Sequence, residues 1–581
     1  MKIVTKSHLL ISCLLTITMA GFGQQPVPHY TTDAEKRDLS NYQFNRSILT
    51  DPPAEEVRTM AEWEEVEFLV VTWEPNFPNI LRQIVAAAVE ECKVIITTQN
   101  ESSVASYLTS NGVDLTNVTF MDENWDTLWI RDYGGNTVYT NDVGERALVD
   151  WIYNRPRPND DIIPSAHSNL EGIPIYITNS GTNDLVNTGG NFMSDGLGNA
   201  FASELILEEN EPGNPYGVSA KTEEQIDDIM QAYMGIDNYI KMTPLPFDVI
   251  NHIDMHMKLL DEETLLVAEY PQGVADGPQI EANIDYILQN FQSPFGTPYK
   301  IKRIPSPPSV GGNYPDNGGS YRNYANAIFV NKTILIPLYR PEVDAPAIAK
   351  WEEMMPGYNI VGIDVDNPDE NLISLVGAIH CITHTIGVSD PLWIVHQPIA
   401  QADSGATVAV DAMIKHNSGI ASATMYWREE GTSDFSQTSM TLESDSNWTT
   451  DFSIPSSTTS IEYYIEATAN SGKTLTRPIV APEGYWTIDV RTLGINDSSE
   501  NNIVGPYPNP TSDTVLFSFK SISKTINITI TNVLGQQLNS FTLDVASENT
   551  IEISMEAYAD GVLFVNFEGS FGKVTKKIIK K

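Results

Sequence analysis

Between about residue 60 and residue 397 the chain alternates short apolar runs with stretches whose apolar positions recur every three or four residues. Phe68-Leu69-Val70-Val71-Thr72 is apolar on both faces and predicts a buried strand. Residues 79–91 predict a helix, and Val94-Ile95-Ile96-Thr97 a second strand. Such βαβ alternation predicts an α/β domain. Gly134-Gly135-Asn136, Gly189-Gly190-Asn191 and Gly311-Gly312-Asn313 each precede strand-like residues, and Gly377 opens a similar run. Their separations suggest a unit of roughly 60 residues used about five times. Turn chemistry alone also accounts for the triplets, because Gly and Asn both tolerate positive φ.

After Pro398 the texture changes. Ala421-Ser422-Ala423-Thr424-Met425-Tyr426-Trp427 and Ile461-Glu462-Tyr463-Tyr464-Ile465-Glu466-Ala467 are strand-like runs broken up by Ser, Thr, Gly and Asn. That spacing predicts an Ig-like β-sandwich over 398–490. A polar linker follows over 491–504, then a β-module over 505–581. The last module holds Tyr507-Pro508-Asn509-Pro510, Leu534-Gly535 and Gly561-Val562-Leu563, and ends in the Lys-rich run from Lys573 to Lys581. In that order these features resemble the C-terminal sorting domain of type IX secretion cargo. The resemblance implies passage across the outer membrane, with the secretion machinery as a partner.

The other end fits export. Lys2 and Lys6 precede the apolar run from Leu9 to Ala20, and small residues at Gly21 and Gly23 complete a signal-peptide pattern over 1–23. A pro segment over 24–58 would follow, and no later stretch is apolar enough to predict a transmembrane segment. Acidic residues outnumber basic ones by 76 to 34, a formal charge of −42, which argues against nucleic acid or anionic lipid as partners. Mean hydropathy is −0.20, as in a soluble globular chain. Loss of Cys13 with the signal leaves Cys92 and Cys381, too few for a disulfide framework. Cys92, where a predicted helix gives way to a strand, reads as a buried small hydrophobe, although one Cys92–Cys381 disulfide is compatible with the count.

Four polar constellations carry candidate chemistry in the α/β region, 59–397. Trp129-Ile130-Arg131-Asp132-Tyr133-Gly134-Gly135 sets an acid beside an aromatic and glycines. In His252-Ile253-Asp254-Met255-His256, a period of two places the three polar residues on one face. That set reads either as divalent-metal ligands or as an acid/base histidine beside a carboxylate. The missing further ligand favours the second reading, with no metal. Gly311-Gly312-Asn313-Tyr314 opens a Gly-rich loop without the Lys of a phosphate loop. Gly377-Ala378-Ile379-His380-Cys381-Ile382-Thr383 surrounds a Cys with small and polar neighbours, where a nearby base would make it a nucleophile.

In order, Trp-x-Arg-Asp-x-Gly, Gly-Gly-Asn, His-x-Asp, Gly-Gly-Asn-Tyr and Gly-x-Ile-His-Cys-x-Thr resemble the agmatine deiminase and bacterial peptidylarginine deiminase superfamily. The resemblance implies the pentein fold, a five-unit pseudo-symmetric α/β-propeller. It implies Cys381 as nucleophile, His252 as acid and then base, Asp132 and Asp254 as the guanidinium clamp, and Asn313 as an orienting group. Trp129 and Asp195 are further candidate substrate contacts, and no cofactor is implied. Carboxylates suit a guanidinium because its forked donors meet them in bidentate, charge-assisted bonds.

The substrate divides the family. Arg155 and Arg157, stiffened by Pro156 and Pro158, are placed to meet a peptide carboxylate, as a comparable pair does in the secreted peptidylarginine deiminase. The domain order and the replacement of the usual Gln pair by His384-Thr385 also point to a peptide or protein arginine. The alternatives are an agmatine or free-guanidine deiminase and a non-catalytic surface binding protein on the same scaffold.

Overall fold

The computed structural model describes residues 25–39, 41–44, 50–179, 181–456, 458–491, 503–519, 525–544, 550–569 and 572–581. The signal-peptide residues 1–23 and most of the linker fall outside them.

The α/β region is a ring of five small sheets. In each, one short strand runs antiparallel to a longer strand, which pairs in parallel with the next strand after a helical crossover. Met257–Leu259, Thr264–Glu269 and Lys300–Pro305 form one such unit, with the helix Asp276–Asn290 as the crossover. Ile328–Val330, Thr333–Leu338 and Asn359–Asp364 repeat it around the helix Pro341–Met354. Met193–Ser194, Asn199–Ser203 and Asn238–Met242 do so around Glu223–Met234, whose start is fixed by a Thr222–Gln225 capping box. Asn136–Thr140, Arg146–Tyr153 and Ile175–Thr178 form a fourth.

The fifth sheet closes the ring. His384–Gly387, from the far end of the domain, pairs antiparallel with Val66–Thr72. Val66–Thr72 in turn pairs in parallel with Lys93–Thr97 across the helix Pro78–Ala88. That helix starts on a proline and buries Ile80, Leu81, Ile84, Val85 and Ala88, the stripe its spacing predicts. Phe68, Leu69, Val70 and Val71 are all buried, as expected of a strand covered on both faces.

Each short strand is preceded by a tight helical turn facing the centre of the ring: Ile130–Tyr133, Gly189–Asn191, Ile253–Met255, the Asn323–Asn326 turn and His380–Ile382. Ile130–Tyr133 touches both Gly189–Asn191 and His380–Ile382. The repeat is therefore real, but its fourth member is Asn323–Asn326 rather than Gly311-Gly312-Asn313. A second expectation also changes. His252 to His256 is not an alternating strand, because Ile253–Met255 turns back on itself with the His256 N–H donating to the Ile253 carbonyl. His252 and Asp254 reach the ring centre, while His256 is buried with no side-chain hydrogen-bond partner among the described residues.

The next region is a sandwich of two sheets that share the core of Ile394, Val410, Ile414, Met425, Tyr463, Ile465 and Ile488. Arg58 joins it to the ring, its guanidinium lying 3.8 Å over Trp393. The C-terminal module is all β, with its own core of Phe517, Ile528, Val565 and Phe567. No helix of the described residues is long and apolar enough to cross a membrane.

Candidate active site

Cys381 lies in the turn before the closing strand, with none of its surface exposed. Its Sγ is 3.4 Å from Asn326 Nδ2 and 3.6 Å from Asp254 Oδ2. Asn326 also donates to the Asp254 carbonyl at 3.0 Å, and its Oδ1 accepts from the His380 N–H at 3.1 Å. One asparagine thus ties the turns that carry the sulfur and the acid. Across the site, His252 Nδ1 stands 3.6 Å from Asp132 Oδ1.

The glycines between these turns follow from packing. A Cβ on Gly190 would lie 2.4 Å from His252 Nδ1 and 3.0 Å from Asp132 Oδ1. On Gly189 it would lie 2.0 Å from the Arg131 carbonyl, and on Gly377 it would lie 2.3 Å from the Trp129 ring. Those two triplet glycines keep a corridor open between neighbouring turns, a role independent of positive φ.

Asp254 is held by His380, whose Nδ1 is 2.8 Å from its Oδ2 and whose Nε2 is 2.6 Å from Glu62 Oε1. Glu62 also takes Lys258 at 2.5 Å and Arg131 at 3.4 Å. Burial works to raise the Asp254 carboxyl, but the hydrogen bond and charge of His380 outweigh it and hold it below its ordinary value. Burial is likewise overcome at Asp132, where His29 hydrogen-bonds the carboxylate and leaves it well below the carboxylate range. Two buried acids are therefore kept ionised around the sulfur. Burial pushes His252 down to about 4, so the ring is neutral at neutral pH and able to accept a proton. Burial and then Asp254 push the Cys381 thiol up. A cation entering between the acids would reverse the second of these effects.

Asp132 Oδ1, Asp254 Oδ1 and both His252 ring nitrogens are buried with no hydrogen-bond partner among the described residues. Buried polar atoms are rarely left this way, and a ligand with several hydrogen-bonding groups would satisfy them.

Trp129, Arg155 and Arg157 also come to this centre, but all three already hold the chain's own N-terminal segment. The Trp129 ring stacks on His29 with centroids 4.3 Å apart, and its Nε1 donates to the Val27 carbonyl at 3.1 Å. Arg155 Nε donates to the His29 carbonyl at 3.4 Å. Arg157 Nη2 donates to the Pro28 carbonyl at 2.9 Å. His29 Nε2 is 2.6 Å from Asp132 Oδ2, and the His29, Asp132 and His252 ligand atoms all lie within 4.8 Å of one another, close enough to hold a cation.

Two expected residues are not brought in. Asn313 is exposed, its backbone N–H bonded to Ser309 Oγ at 3.0 Å, and Asn326 stands beside Cys381 instead. Asp195 is buried but spends its oxygens within its own turn, on the Leu197 and Asn199 N–H groups and the Asn199 amide. Asn326, Glu62 and His29 have no place in the sequence motifs, and His380 stands there only as a neighbour of Cys381 with no role given to it. Aligning the five short strands by their starts would have exposed Asn326 and His380, since each precedes one by a few residues. Cys92 and Cys381 are both free thiols, and burial pushes Cys92 up to about 12.

A five-bladed ring with these groups on adjacent inner turns is the pentein deiminase fold. The comparisons agree: residues 58–386 match the Porphyromonas-type peptidyl-arginine deiminase family, and the chain belongs to it. Residues 506–581 match a secretion-system C-terminal sorting domain, of the type IX kind, which directs the protein to the cell surface or the medium. A putative agmatine deiminase of Shewanella baltica is 26% identical over 385 residues, covering 60% of this chain and 99% of its own. A solved putative agmatine deiminase has a TM-score of 0.50 at 20% identity, covering 59% of this chain and 100% of its own. The structure of a putative arginine deiminase from Porphyromonas gingivalis is similar at 19% identity and a TM-score of 0.49, covering 57% and 98%.

Proposed function

We propose that this exported member of the deiminase family converts peptidyl arginine, with a preference for a C-terminal one, to citrulline through a covalent intermediate on Cys381. The observation that carries the reading is the pair of ionised, incompletely bonded carboxylates, Asp132 and Asp254, around a buried thiol. A guanidinium is planar, cationic and rich in donors, and each charge-assisted bond it makes to such a carboxylate contributes about 1.5–3 kcal/mol.

The substrate cation lowers the cost of forming the Cys381 thiolate, which attacks Cζ. Neutral His252 takes up the thiol proton and passes it to the departing nitrogen, so ammonia leaves and a thiouronium remains. His252 then removes a proton from water, hydroxide adds to Cζ, the C–S bond breaks to give the ureido group and the thiol, and the proton on His252 leaves with the ammonia as ammonium. Guanidinium and water thus become a urea and ammonium, with no redox change. Asn326 orients the sulfur, and Glu62 with His380 fixes Asp254.

The carboxylate preference rests on Arg155 and Arg157, both buried and both donating to main-chain oxygens of the bound segment. A small diamine offers them no oxygen. The rival reading, agmatine as substrate, draws on what the Shewanella relative is called. Citrulline and ammonia assays on a peptide ending in Arg, the same peptide as its amide, and agmatine separate the two. Turnover of agmatine alone contradicts the proposal, and absence of turnover on every guanidine, with Cys381 freely reactive, points to a binding protein.

A further inference from the structure

The described N-terminal residues lie inside the site rather than on the surface. His29 is fully buried, stacked on Trp129 at an interplanar angle of 12° and edge-on to His252 with centroids 5.1 Å apart. Its Nε2 meets Asp132 Oδ2 at 2.6 Å and its Nδ1 the Val376 carbonyl at 2.8 Å. Both ring nitrogens lie within hydrogen-bond distance of an oxygen, one a carboxylate and one a main-chain carbonyl. A flat nitrogen heterocycle with one edge on a carboxylate and its face on an indole takes the place that a planar guanidinium would take.

The flanking residues follow the same path. The His29 N–H donates to the Leu375 carbonyl at 2.9 Å, and Arg157 holds Pro28 and Tyr30 through their carbonyls at 2.9 and 3.4 Å. Glu35 completes the contact, with Oε1 2.8 Å from Arg157 Nε. A capping pair aims it: Thr32 N–H donates to Glu35 Oε2 at 2.7 Å and Glu35 N–H to Thr32 Oγ1 at 3.2 Å, starting the helix Asp33–Leu39. Leu39 and Phe44 then seat against Ile152, Val186, Tyr216 and Val218.

We propose that the segment described over 25–39 and 41–44 is an internal pseudosubstrate that keeps the enzyme latent: His29 fills the guanidinium position, and Glu35 with the neighbouring carbonyls occupies the arginines that otherwise hold a substrate's main chain. Resting on the deiminase reading of this site, the inference goes beyond it, because the exported chain becomes active only when the segment is displaced or cut away. Binding in cis makes a modest affinity sufficient, since the segment's effective concentration is high. A competing peptide sees its affinity reduced by the fraction of molecules in which the segment is seated.

The test uses the full chain from residue 24 and its His29→Ala and Glu35→Ala variants, neither of which removes a group from the reaction itself. Two readouts are taken: citrulline formed from an arginine peptide, and the rate at which iodoacetamide labels Cys381, located by mass spectrometry. Both variants are expected to raise the Cys381 labelling rate and kcat/KM by about tenfold or more, with unchanged far-UV circular dichroism. Cutting the full chain at a protease site introduced between Phe44 and Thr50 should raise both further in the variants and restore them in the wild type. Equal labelling and activity in wild type, both variants and the cut chain would overturn the pseudosubstrate. Labelling that rises while no guanidine is turned over would leave the plug standing and sink the deiminase reading, so the two failures are distinguishable.

Discussion

His380 bridges two acids, with Nδ1 2.8 Å from Asp254 and Nε2 2.6 Å from Glu62. Because His380 immediately precedes Cys381, the residue that fixes the carboxylate is tied by one peptide bond to the residue that carries the sulfur. Any shift of one moves the other. His380→Asn keeps a donor near Asp254 but loses the reach to Glu62. Its kcat should fall by about 10²-fold with KM changed much less, as expected of a positioning residue. Steady-state kinetics on an arginine peptide checks this, and a loss confined to KM contradicts it.

Gly190 is required for a steric reason. A single methyl there would overlap His252 Nδ1, at 2.4 Å, and press on Asp132 Oδ1. Gly190→Ala should cost at least the contribution of a displaced acid/base group, about 10²-fold in kcat. Its thermal unfolding should change far less than its activity. Full activity in this variant would mean that His252 is not the proton carrier.

Arg155→Ala should lower kcat/KM for a peptide ending in a free Arg carboxylate by about 10-fold to 100-fold, the value of one charge-assisted bond. The same peptide as its amide should lose much less. Equal losses on both would assign Arg155 to the guanidinium end. Since the wild-type site is already filled by the segment, the comparison belongs in the His29→Ala background.

Acid stability should respond to His167, buried in the helix Ile163–Glu171 and pushed down to about 4 by burial. The unfolded chain takes up a proton there as pH falls through its ordinary value near 6.5, while the folded chain does not. Stability is therefore lost on acidification between about 6.5 and 4. Relative to His167→Leu, the wild type should lose about 2 kcal/mol between pH 7.5 and pH 5. Asp160, Asp195, Asp248 and Glu209, pushed up to about 7 by burial, act in the opposite sense but cancel in the comparison. Urea midpoints at pH 7.5 and pH 5 measure the difference, and a pH-independent difference contradicts it.

The parts of the site visible in the sequence are those written locally. Asp132 and Cys381 each stand in a short run whose glycines are unusual for a core element, and His252 and Asp254 in a run that alternates polar with apolar residues. Their order gave the family, and the apolar runs around Phe68 and Val94 gave the α/β class. Asn313 misled because Gly-Gly-Asn is also ordinary turn chemistry, whereas Asn326 follows Tyr324-Ala325 with nothing local to mark it. The period-two reading of His252 to His256 failed because a one-turn helix can bring two of three alternating residues to one point. His29 and Glu62 act wholly through tertiary contact, 103 residues away from Asp132 in one case and 318 from His380 in the other, and no window of sequence contains that.

Covalent chemistry at Cys381 is the central step of the proposed reaction. The direct measurement is acid-quenching of the His29→Ala chain during turnover of an arginine peptide, followed by digestion and mass spectrometry of the peptide containing Cys381. A thiouronium adduct on Cys381, formed at the rate of the first turnover and absent in the Cys381→Ala counterpart, is the predicted result. Citrulline formation that persists in Cys381→Ala, or turnover with no adduct on that sulfur, would contradict it.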